Sequence, residues 1–335
     1  MAAVTTAAAT AATVTRFHPP KTTLFPTYIK RQKTTAYPEH PPRGSSAVAA
    51  QQVRTLAWSP LGTQIATGLA SKSIRVWDPE KPRVHIHEFV WRGERAEKVL
   101  FHPRGEPEIV SVGEDGMIRF WDVRAKGTSG EIKAGGLCFT LAWSPDGKEL
   151  VVGKKNDDIV RVDCESRTII STIRLKDQTN QTCFNWAGDS LLTTTTDGFF
   201  KILDYPSLDE LARFPAHNSS CNCVAYHPAG AYVATGASDG LISLYRTDGW
   251  LPAKTFDAQA GPVKTVSFSC DGTYIAGGSD EGTGFEIGNV ETGESVYKVE
   301  AKGPTPVVMW SPRDYAIAYA PSDWGIRVVG APTPS

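Results

Sequence analysis

This sequence of 335 residues has no long apolar run, no paired metal-binding cysteines and no large excess of positive or negative charge. No apolar run approaches the roughly 18 residues that a membrane-spanning helix needs, so the sequence predicts a soluble protein without membrane contact. The six cysteines include no CxxC pair, which is typical of reduced thiols in an intracellular protein rather than of a disulfide framework. The formal net charge of −1 leaves no overall basic surface that would predict nucleic-acid binding by the whole chain.

Catalytic motifs are also missing, because no Ser/His/Asp set, Walker loop or GxGxxG stands out. His102 and His227 occupy a turn position that is serine in other repeats, where a turn hydrogen bond explains either residue. Cys221 and Cys223 lie near His217, but metal binding would need further ligands, and a buried structural pair is favoured. The sequence therefore predicts no enzyme, no cofactor, no metal and no small-molecule substrate.

A repeated unit is what the sequence does contain. Each unit has an aromatic anchor, and successive anchors lie 41 to 43 residues apart. The seven anchors are Trp58, Phe101, Trp143, Phe184, Tyr226, Phe268 and Trp310. In the first six units a glycine follows the anchor by four residues. A short apolar run closes each unit, and in the first two units it ends in Trp-Asp.

Turn residues divide each unit into strands. Pro-Asp-Gly after Trp143 favours a tight turn, and Asp-Gly pairs at Asp115, Asp197 and Asp239 predict a second turn. A fourth strand fits between units, as at 84–90, 168–175, 210–215 and 295–300. Four strands per unit of about 40–45 residues are typical of WD40 repeats. The prediction is an all-β chain with a single seven-bladed WD40 β-propeller over residues 51–330.

The first 50 residues differ from the rest, with six Lys or Arg against one acid, for a formal +5, which leaves −6 for the remainder. We expect disorder in the Ala/Thr-rich residues 1–20 and in the tail 331–335. We expect residues 21–50 to be a basic, partly ordered segment. Its cluster Lys30, Arg31 and Lys33 predicts either a weak nuclear-import or nucleic-acid contact or a solvated strand edge, and the sequence leaves both open.

The basic segment also has a predicted structural role. The seventh unit ends near Val329 with residues for only three strands, which would leave an unpaired sheet edge. Residues 22–37 are rich in β-formers and are the best candidate for the missing outer strand, although Pro26 restricts that strand to an edge or a bend. We therefore expect this segment to close the last blade.

Candidate binding residues precede each anchor by four positions, where the innermost strands begin near one face of the channel. They are Arg54, Glu97, Phe139, Asn180, Asn222, Lys264 and Pro306. This ring is polar and of mixed charge, and Phe139 is its one aromatic residue. Because a methyl-lysine reader needs an aromatic cage, the ring does not favour that function. It predicts either contacts of Arg54 and Lys264 with acidic loops of a partner protein or a ring that is mostly solvated, and the sequence leaves both open.

Several segments are similar to one family of WD40 proteins. The most specific are Leu203-Asp-Tyr-Pro-Ser-Leu-Asp-Glu-Leu-Ala-Arg-Phe-Pro-Ala-His217 and Tyr232-Val-Ala-Thr-Gly-Ala-Ser-Asp-Gly-Leu-Ile-Ser-Leu-Tyr245, and Ile118-Arg-Phe-Trp-Asp-Val-Arg124 and Val152-Gly-Lys-Lys-Asn-Asp-Asp158 also match. They resemble the WD40 subunit of the THO complex, over roughly residues 51–330. The sixth unit departs from the pattern, with Gly282-Thr-Gly-Phe-Glu-Ile-Gly288 in place of a Trp-Asp ending, and the Ala/Thr-rich start has no counterpart.

The resemblance implies a nuclear, non-enzymatic scaffold subunit of THO within the TREX assembly, which couples transcription to packaging and export of messenger ribonucleoprotein. It implies large elongated THO subunits and TREX components as partners. Any RNA contact would be weak and nonspecific and would come from the basic arm, since the propeller body is acidic. The alternative is a WD40 peptide reader or adaptor, for a histone peptide or a ubiquitin-ligase substrate.

Overall fold

A computed structural model describes residues 24–37, 52–82, 85–90, 93–257, 260–322 and 325–330 of the chain. The expectations for residues 1–20 and 331–335, and those for 21–23 and 38–50, concern positions outside these ranges. In the described part, no helix has the length and apolar character to cross a membrane.

The chain forms seven four-stranded antiparallel sheets, which are the blades of a propeller. Blade 1 consists of β2 (Val53–Trp58), β3 (Ile65–Leu69), β4 (Ser73–Trp77) and β5 (His85–Val90). Blade 2 consists of β6 (Ala96–Phe101), β7 (Glu108–Gly113), β8 (Met117–Asp122) and β9 (Gly127–Lys133). Blade 3 consists of β10 (Cys138–Trp143), β11 (Glu149–Lys154), β12 (Asp158–Asp163) and β13 (Thr168–Arg174). Blade 4 consists of β14 (Thr179–Phe184), β15 (Ser190–Thr195), β16 (Phe199–Asp204) and β17 (Glu210–Pro215).

The remaining three blades follow the same order. Blade 5 consists of β18 (Cys221–Tyr226), β19 (Tyr232–Ala237), β20 (Ile242–Arg246) and β21 (Pro252–Phe256). Blade 6 consists of β22 (Val263–Phe268), β23 (Tyr274–Ser279), β24 (Phe285–Asn289) and β25 (Ser295–Val299). Blade 7 consists of β26 (Val307–Trp310), β27 (Ile317–Ala320), β28 (Ile326–Val329) and, from the start of the chain, β1 (Thr34–Tyr37). The predicted seven-bladed propeller is confirmed.

Every inner strand ends at its aromatic anchor, so the repeat in the sequence marks the same point of each blade. The turn that follows begins with a serine, a histidine or, in blade 4, Asn185, and the serines and histidines form different hydrogen bonds. Ser144 accepts a hydrogen bond from the Glu149 backbone N–H at 2.9 Å, within its own blade. His227 instead accepts from the Ala229 N–H at 3.0 Å through Nδ1, and its Nε2 lies 3.2 Å from the carbonyl oxygen of Gly272 in the next blade. The predicted turn hydrogen bonds of the histidines are confirmed.

The hydrophobic core lies between neighbouring blades. One cluster joins blades 1 and 2, with Ile74, Val76 and Phe89 packed against Phe101 and Trp121. The third strands of these two blades each carry a tryptophan whose indole is also held by a hydrogen bond within the blade. Trp77 Nε1 donates to Thr67 Oγ1 at 3.1 Å, and Trp121 Nε1 donates to Ser111 Oγ at 2.9 Å. The indole N–H groups are thus satisfied although both tryptophans are buried.

The outer strand of blade 7 comes from residues 24–37, which we name the closing segment. Its strand β1 pairs antiparallel with β28, with Thr34 opposite Val329 and Tyr37 opposite Ile326. The buried Tyr37 hydroxyl donates a 2.6 Å hydrogen bond to the Pro79 carbonyl oxygen, and its ring lies edge-on to Trp77 of blade 1. Strand β1 therefore completes blade 7 and also fastens it to blade 1.

The first half of the closing segment is a helix, α1 (Phe25–Arg31), and not the strand that its β-formers predicted. Pro26 stands in the first turn of α1, where its missing N–H has no helical acceptor to lose. Phe25 is fully buried and stacks on Tyr274 of blade 6, with ring centroids 3.8 Å apart. The cluster around Phe25 includes Val329, the last residue of β28. The equivalent strand of blade 1, β4, ends in the much larger Trp77. Burial between blades 6 and 7 thus overrides the local strand propensity.

Shortening the side chain of Phe25 should weaken the packing of the closing segment against blades 6 and 7. Phe25→Ala removes a fully buried ring, and we expect a loss of about 3–5 kcal/mol in the free energy of unfolding. Leu24→Ala is the matched control, because Leu24 is 55% exposed, and it should change stability by less than about 0.5 kcal/mol. Urea unfolding measures both. Equal effects of the two substitutions would contradict the packing of α1 described here.

A second prediction concerns the contact between His227 and Gly272. Both Gly272 and Gly105 have positive φ, at 77° and 78°, so alanine costs about 1–2 kcal/mol of strain at either position. An added Cβ at Gly272 would lie 1.9 Å from His227 Nε2, whereas at Gly105 the nearest atom is 3.6 Å away. Gly272→Ala should therefore cost about 1–3 kcal/mol more than Gly105→Ala in thermal or urea unfolding. A similar loss of stability in the two variants would show that the His227 imidazole moves aside without a measurable cost.

Candidate binding surfaces

The seven inner strands enclose a channel with two different mouths. We name one the polar mouth; it is a cavity of about 500 Å³ at the amino-terminal ends of the inner strands. All seven candidate ring residues line it, namely Arg54, Glu97, Phe139, Asn180, Asn222, Lys264 and Pro306. We name the other the apolar mouth; it is a cavity of about 570 Å³ at the turns that follow the anchors. The structure thus brings the predicted ring together at one end of the channel.

Three charged side chains of the polar mouth, Arg54, Lys264 and Asp280, are exposed and form ion pairs at the surface. Arg54 Nη2 lies 3.6 Å from Glu97 Oε2, and Glu97 also accepts a 2.8 Å hydrogen bond from Arg95 Nε. Lys264 Nζ lies 3.1 Å from Asp280 Oδ2, with both side chains roughly half exposed. Exposed pairs of this kind contribute only about 0–1 kcal/mol, so a partner can exchange them at little cost.

The two asparagines of the ring have a structural role. Asn180 Nδ2 donates to the Cys221 carbonyl oxygen at 2.8 Å, and Asn222 Nδ2 donates to the Val263 carbonyl oxygen at 2.9 Å. Each amide therefore joins the start of one inner strand to the start of the next. Because these donors are already used between blades, Asn180 and Asn222 are poorer candidates for partner binding than Arg54 and Lys264.

Aromatic residues are scarce at the polar mouth. Among the described residues that line it, Phe139 is the one aromatic side chain, and it is half-buried. A cage for a quaternary ammonium group is built from several aromatic faces around one point. The polar mouth therefore lacks the geometry of a methyl-lysine reader in the part that the structure describes.

The basic cluster lies elsewhere, on the closing segment. Lys30 and Arg31 occupy the last turn of α1, Lys33 precedes β1, and all three side chains are exposed. Cations in the last turn of a helix favourably oppose the partial negative charge of its free carbonyls. The local structure thus explains part of this charge, while a nuclear-import or nucleic-acid contact stays a prediction.

The cysteines near His217 do not assemble a metal site. No group of three or more potential metal ligands occurs in the described ranges. Burial raises the pKa of the Cys223 thiol to about 12, which keeps it protonated. His217 itself has a structural environment, with Nδ1 3.2 Å from Asp239 Oδ2 and Nε2 3.0 Å from Thr235 Oγ1. Because the carboxylate can only accept, neutral His217 donates from Nδ1 and accepts the hydroxyl proton at Nε2.

The apolar mouth was not anticipated from the sequence. Lys98, Gln181 and Met309 line both cavities and so form the boundary between them. The sequence offered one signal for this site, since Lys98 follows the ring position Glu97 directly and precedes the apolar end of β6. Its meaning depends on which side chains of seven different blades point into the channel, and the repeat alone does not show this.

Comparison with known protein families agrees with this architecture. The WD domain, G-beta repeat model matches residues 43–78, 208–246 and 250–283, and the anaphase-promoting complex subunit 4 WD40 domain model matches residues 116–189. Together with the seven four-stranded blades, these matches place the chain in the WD40-repeat class of β-propeller proteins.

Within that class, the chain is similar to THO complex subunit 3 of Arabidopsis thaliana, with 29% identity over 277 residues, 82% of this chain and 87% of that protein. The resemblance to the THO WD40 subunit is thereby confirmed. The chain is also 28% identical to WD repeat-containing protein AAC3 of Dictyostelium discoideum, covering 82% of this chain and 64% of that protein. Pre-mRNA-processing factor 19 of Oryza sativa subsp. japonica is 20% identical over 84% of this chain and 47% of that protein.

The His217 network predicts a pH dependence of stability. Burial lowers the pKa of His217 below its ordinary value of 6.5, and Asp239 offsets only part of this effect. As the pH falls below 6.5, the unfolded state binds a proton before the folded state does, so folding stability decreases towards acid. Urea unfolding between pH 7 and pH 5 should show this decrease, and His217→Gln should make it smaller. An unchanged pH dependence in the variant would contradict a buried neutral His217.

Proposed function

We propose that this protein is a non-enzymatic WD40 scaffold subunit of a THO complex. The observation that carries the proposal is the similarity to THO complex subunit 3, which spans 82% of this chain and 87% of the relative. Similarity on that scale covers the propeller and not a single repeat. Within TREX, the scaffold would couple transcription to the packaging and nuclear export of messenger ribonucleoprotein, which implies a nuclear location.

The residues of the polar mouth support a scaffold that functions through protein–protein contacts. Arg54 and Lys264 are exposed at its edge, and in the described part of the chain each is paired with one partly exposed acid. Acidic loops of the large THO subunits could replace these acids, and complementary charges of this kind accelerate association and fix orientation. We propose Arg54, Glu97, Phe139 and Lys264 as the contact set, with Asn180 and Asn222 holding their spacing.

Two other functions have less support. A histone-peptide reader or a ubiquitin-ligase adaptor would use the same mouth, but Phe139 is the one aromatic residue described there. Weak RNA binding through Lys30, Arg31 and Lys33 would depend on the exposed basic segment and would fall steeply with salt. We therefore place RNA contact second to the scaffold role, and we propose no substrate or cofactor.

Charge reversal at the polar mouth tests the proposal. The double variant Arg54→Glu with Lys264→Glu should weaken recovery of the large THO subunits by about tenfold or more, since like charges would then face the acidic partner. The measurement is affinity purification from nuclease-treated nuclear extract with quantitative mass spectrometry. Arg246→Glu with Lys298→Glu is the matched control, because it makes the same change in net charge at exposed positions in β20 and β25.

Two results would contradict this assignment. If the unaltered protein recovers histones or a ubiquitin ligase and no THO subunits, the proposed complex is wrong. If it recovers THO subunits and both double variants lose them equally, the polar mouth is not the contact surface.

A further inference from the structure

The apolar mouth has an unusual lining for a surface cavity. The anchors Trp58, Phe101, Trp143, Phe184, Tyr226, Phe268 and Trp310 all contribute to it. Prolines of the turns that follow the anchors form part of its edge, at Pro60, Pro103, Pro228 and Pro312. Among the described residues of this lining, Lys98 is the one charged side chain. A large, mostly apolar cavity with a few polar groups is typical of binding sites.

Lys98 is half-buried in the channel and differs from the buried cations of the propeller. Lys201 contacts Asp177 and lies 2.7 Å from Glu210, and Arg119 lies 2.6 Å from Asp115 and 3.1 Å from Glu131. In the described part of the chain no carboxylate is paired with Lys98. Burial lowers the pKa of the Lys98 ammonium. Because Lys98 is half-buried and has no acidic neighbour in the described part of the chain, an added carboxylate at this point would form a favourable charge-assisted hydrogen bond.

The cysteine and tyrosine side chains that line the apolar mouth are neutral. Burial raises the pKa of the Cys270 thiol to about 11 and that of the Tyr226 hydroxyl to about 12, so both stay protonated. Gln181 uses its Nε2 in a 3.2 Å hydrogen bond to the Val224 carbonyl oxygen. The cavity thus offers one free positive charge at its inner end and apolar surface around it.

Apolar surface continues outside the cavity. Trp186 lines its edge and is 61% exposed, and Leu61, in the turn after Trp58, is 52% exposed. The Trp186 ring is held in place by a 3.0 Å hydrogen bond from Nε1 to the His227 carbonyl oxygen. A ligand confined to the channel would leave both side chains in water. The extent of the surface therefore favours a polypeptide segment over a small molecule.

We propose that the apolar mouth binds an exposed loop or tail of a partner protein, which inserts an apolar side chain together with a carboxylate that accepts a hydrogen bond from Lys98. The carboxylate belongs to an adjacent Asp or Glu, or to the partner's carboxyl terminus. This site lies at the opposite end of the channel from the polar mouth and does not depend on the proposed THO contact. One propeller would then hold two partner segments at once.

A peptide selection on the full-length protein tests the proposal. A phage-displayed library of random short peptides is selected against the immobilised protein, and the enriched peptides are synthesised with a fluorescent label. We expect enrichment of an apolar residue next to Asp or Glu. Binding, measured by fluorescence anisotropy, should weaken at least about tenfold when Asn or Gln replaces the acid.

Two variants of the protein locate the site. Lys98→Met keeps a similar side-chain length and removes the charge, and it should weaken binding at least about tenfold. Lys264→Met is the matched control, because it removes a lysine from the opposite mouth, and it should leave binding unchanged. Thermal unfolding confirms that both variants fold; if Lys98→Met does not, Trp186→Ser at the exposed edge of the cavity replaces it and should also weaken binding.

Other outcomes overturn the proposal. It is wrong if no peptide is enriched, or if the enriched peptides bind Lys98→Met as tightly as the unaltered protein. It is also wrong if Lys264→Met abolishes binding, which would locate the peptide at the polar mouth. Binding of decanoate at Lys98 without binding of any peptide would show that the cavity serves a small apolar acid instead.

Discussion

The pairing of β1 with β28 is the interaction on which the rest of this propeller depends. A ring of blades is stable only if its first and last sheets are packed against each other, and blade 7 would otherwise present an unpaired edge. The closing segment meets this need at two interfaces: Tyr37 reaches blade 1 through its hydrogen bond to Pro79, and Phe25 stacks on Tyr274 of blade 6. Both mouths of the channel keep their shape because the ring is held at this point.

The number of blades and the bounds of their inner strands could be predicted from the sequence, since each anchor ends an inner strand. The position of the candidate ring followed from the same repeat, because residues at one offset lie at one height in the channel. The helix at Phe25–Arg31 could not be predicted in this way. Its residues favour a strand locally, and burial of Phe25 against two blades decides the outcome.

The apolar mouth shows a second limit of sequence reasoning. The repeat identifies which positions of the seven blades are equivalent. Lys98 is a candidate binding residue because of the side chains that the other blades place at the same height in the channel. At its height in the channel the neighbours include Gln181 and Met309, which come from distant parts of the chain. Only the closed ring brings these side chains together. The absence of a carboxylate partner for Lys98 in the described part of the chain is therefore a property of the fold and not of any single segment.

The order of synthesis gives the closing segment a further consequence. Its residues pair with partners 289 to 295 positions later in the chain. At the usual rate of about 5–20 residues per second, roughly 15–60 seconds pass between the synthesis of β1 and that of β28. During this interval the nascent chain carries an unpaired strand at its start and a growing stack of blades with an open end. Ring closure is therefore a late event of biogenesis, and the waiting strand is the part of the chain with the longest exposure to chaperones and to mispairing.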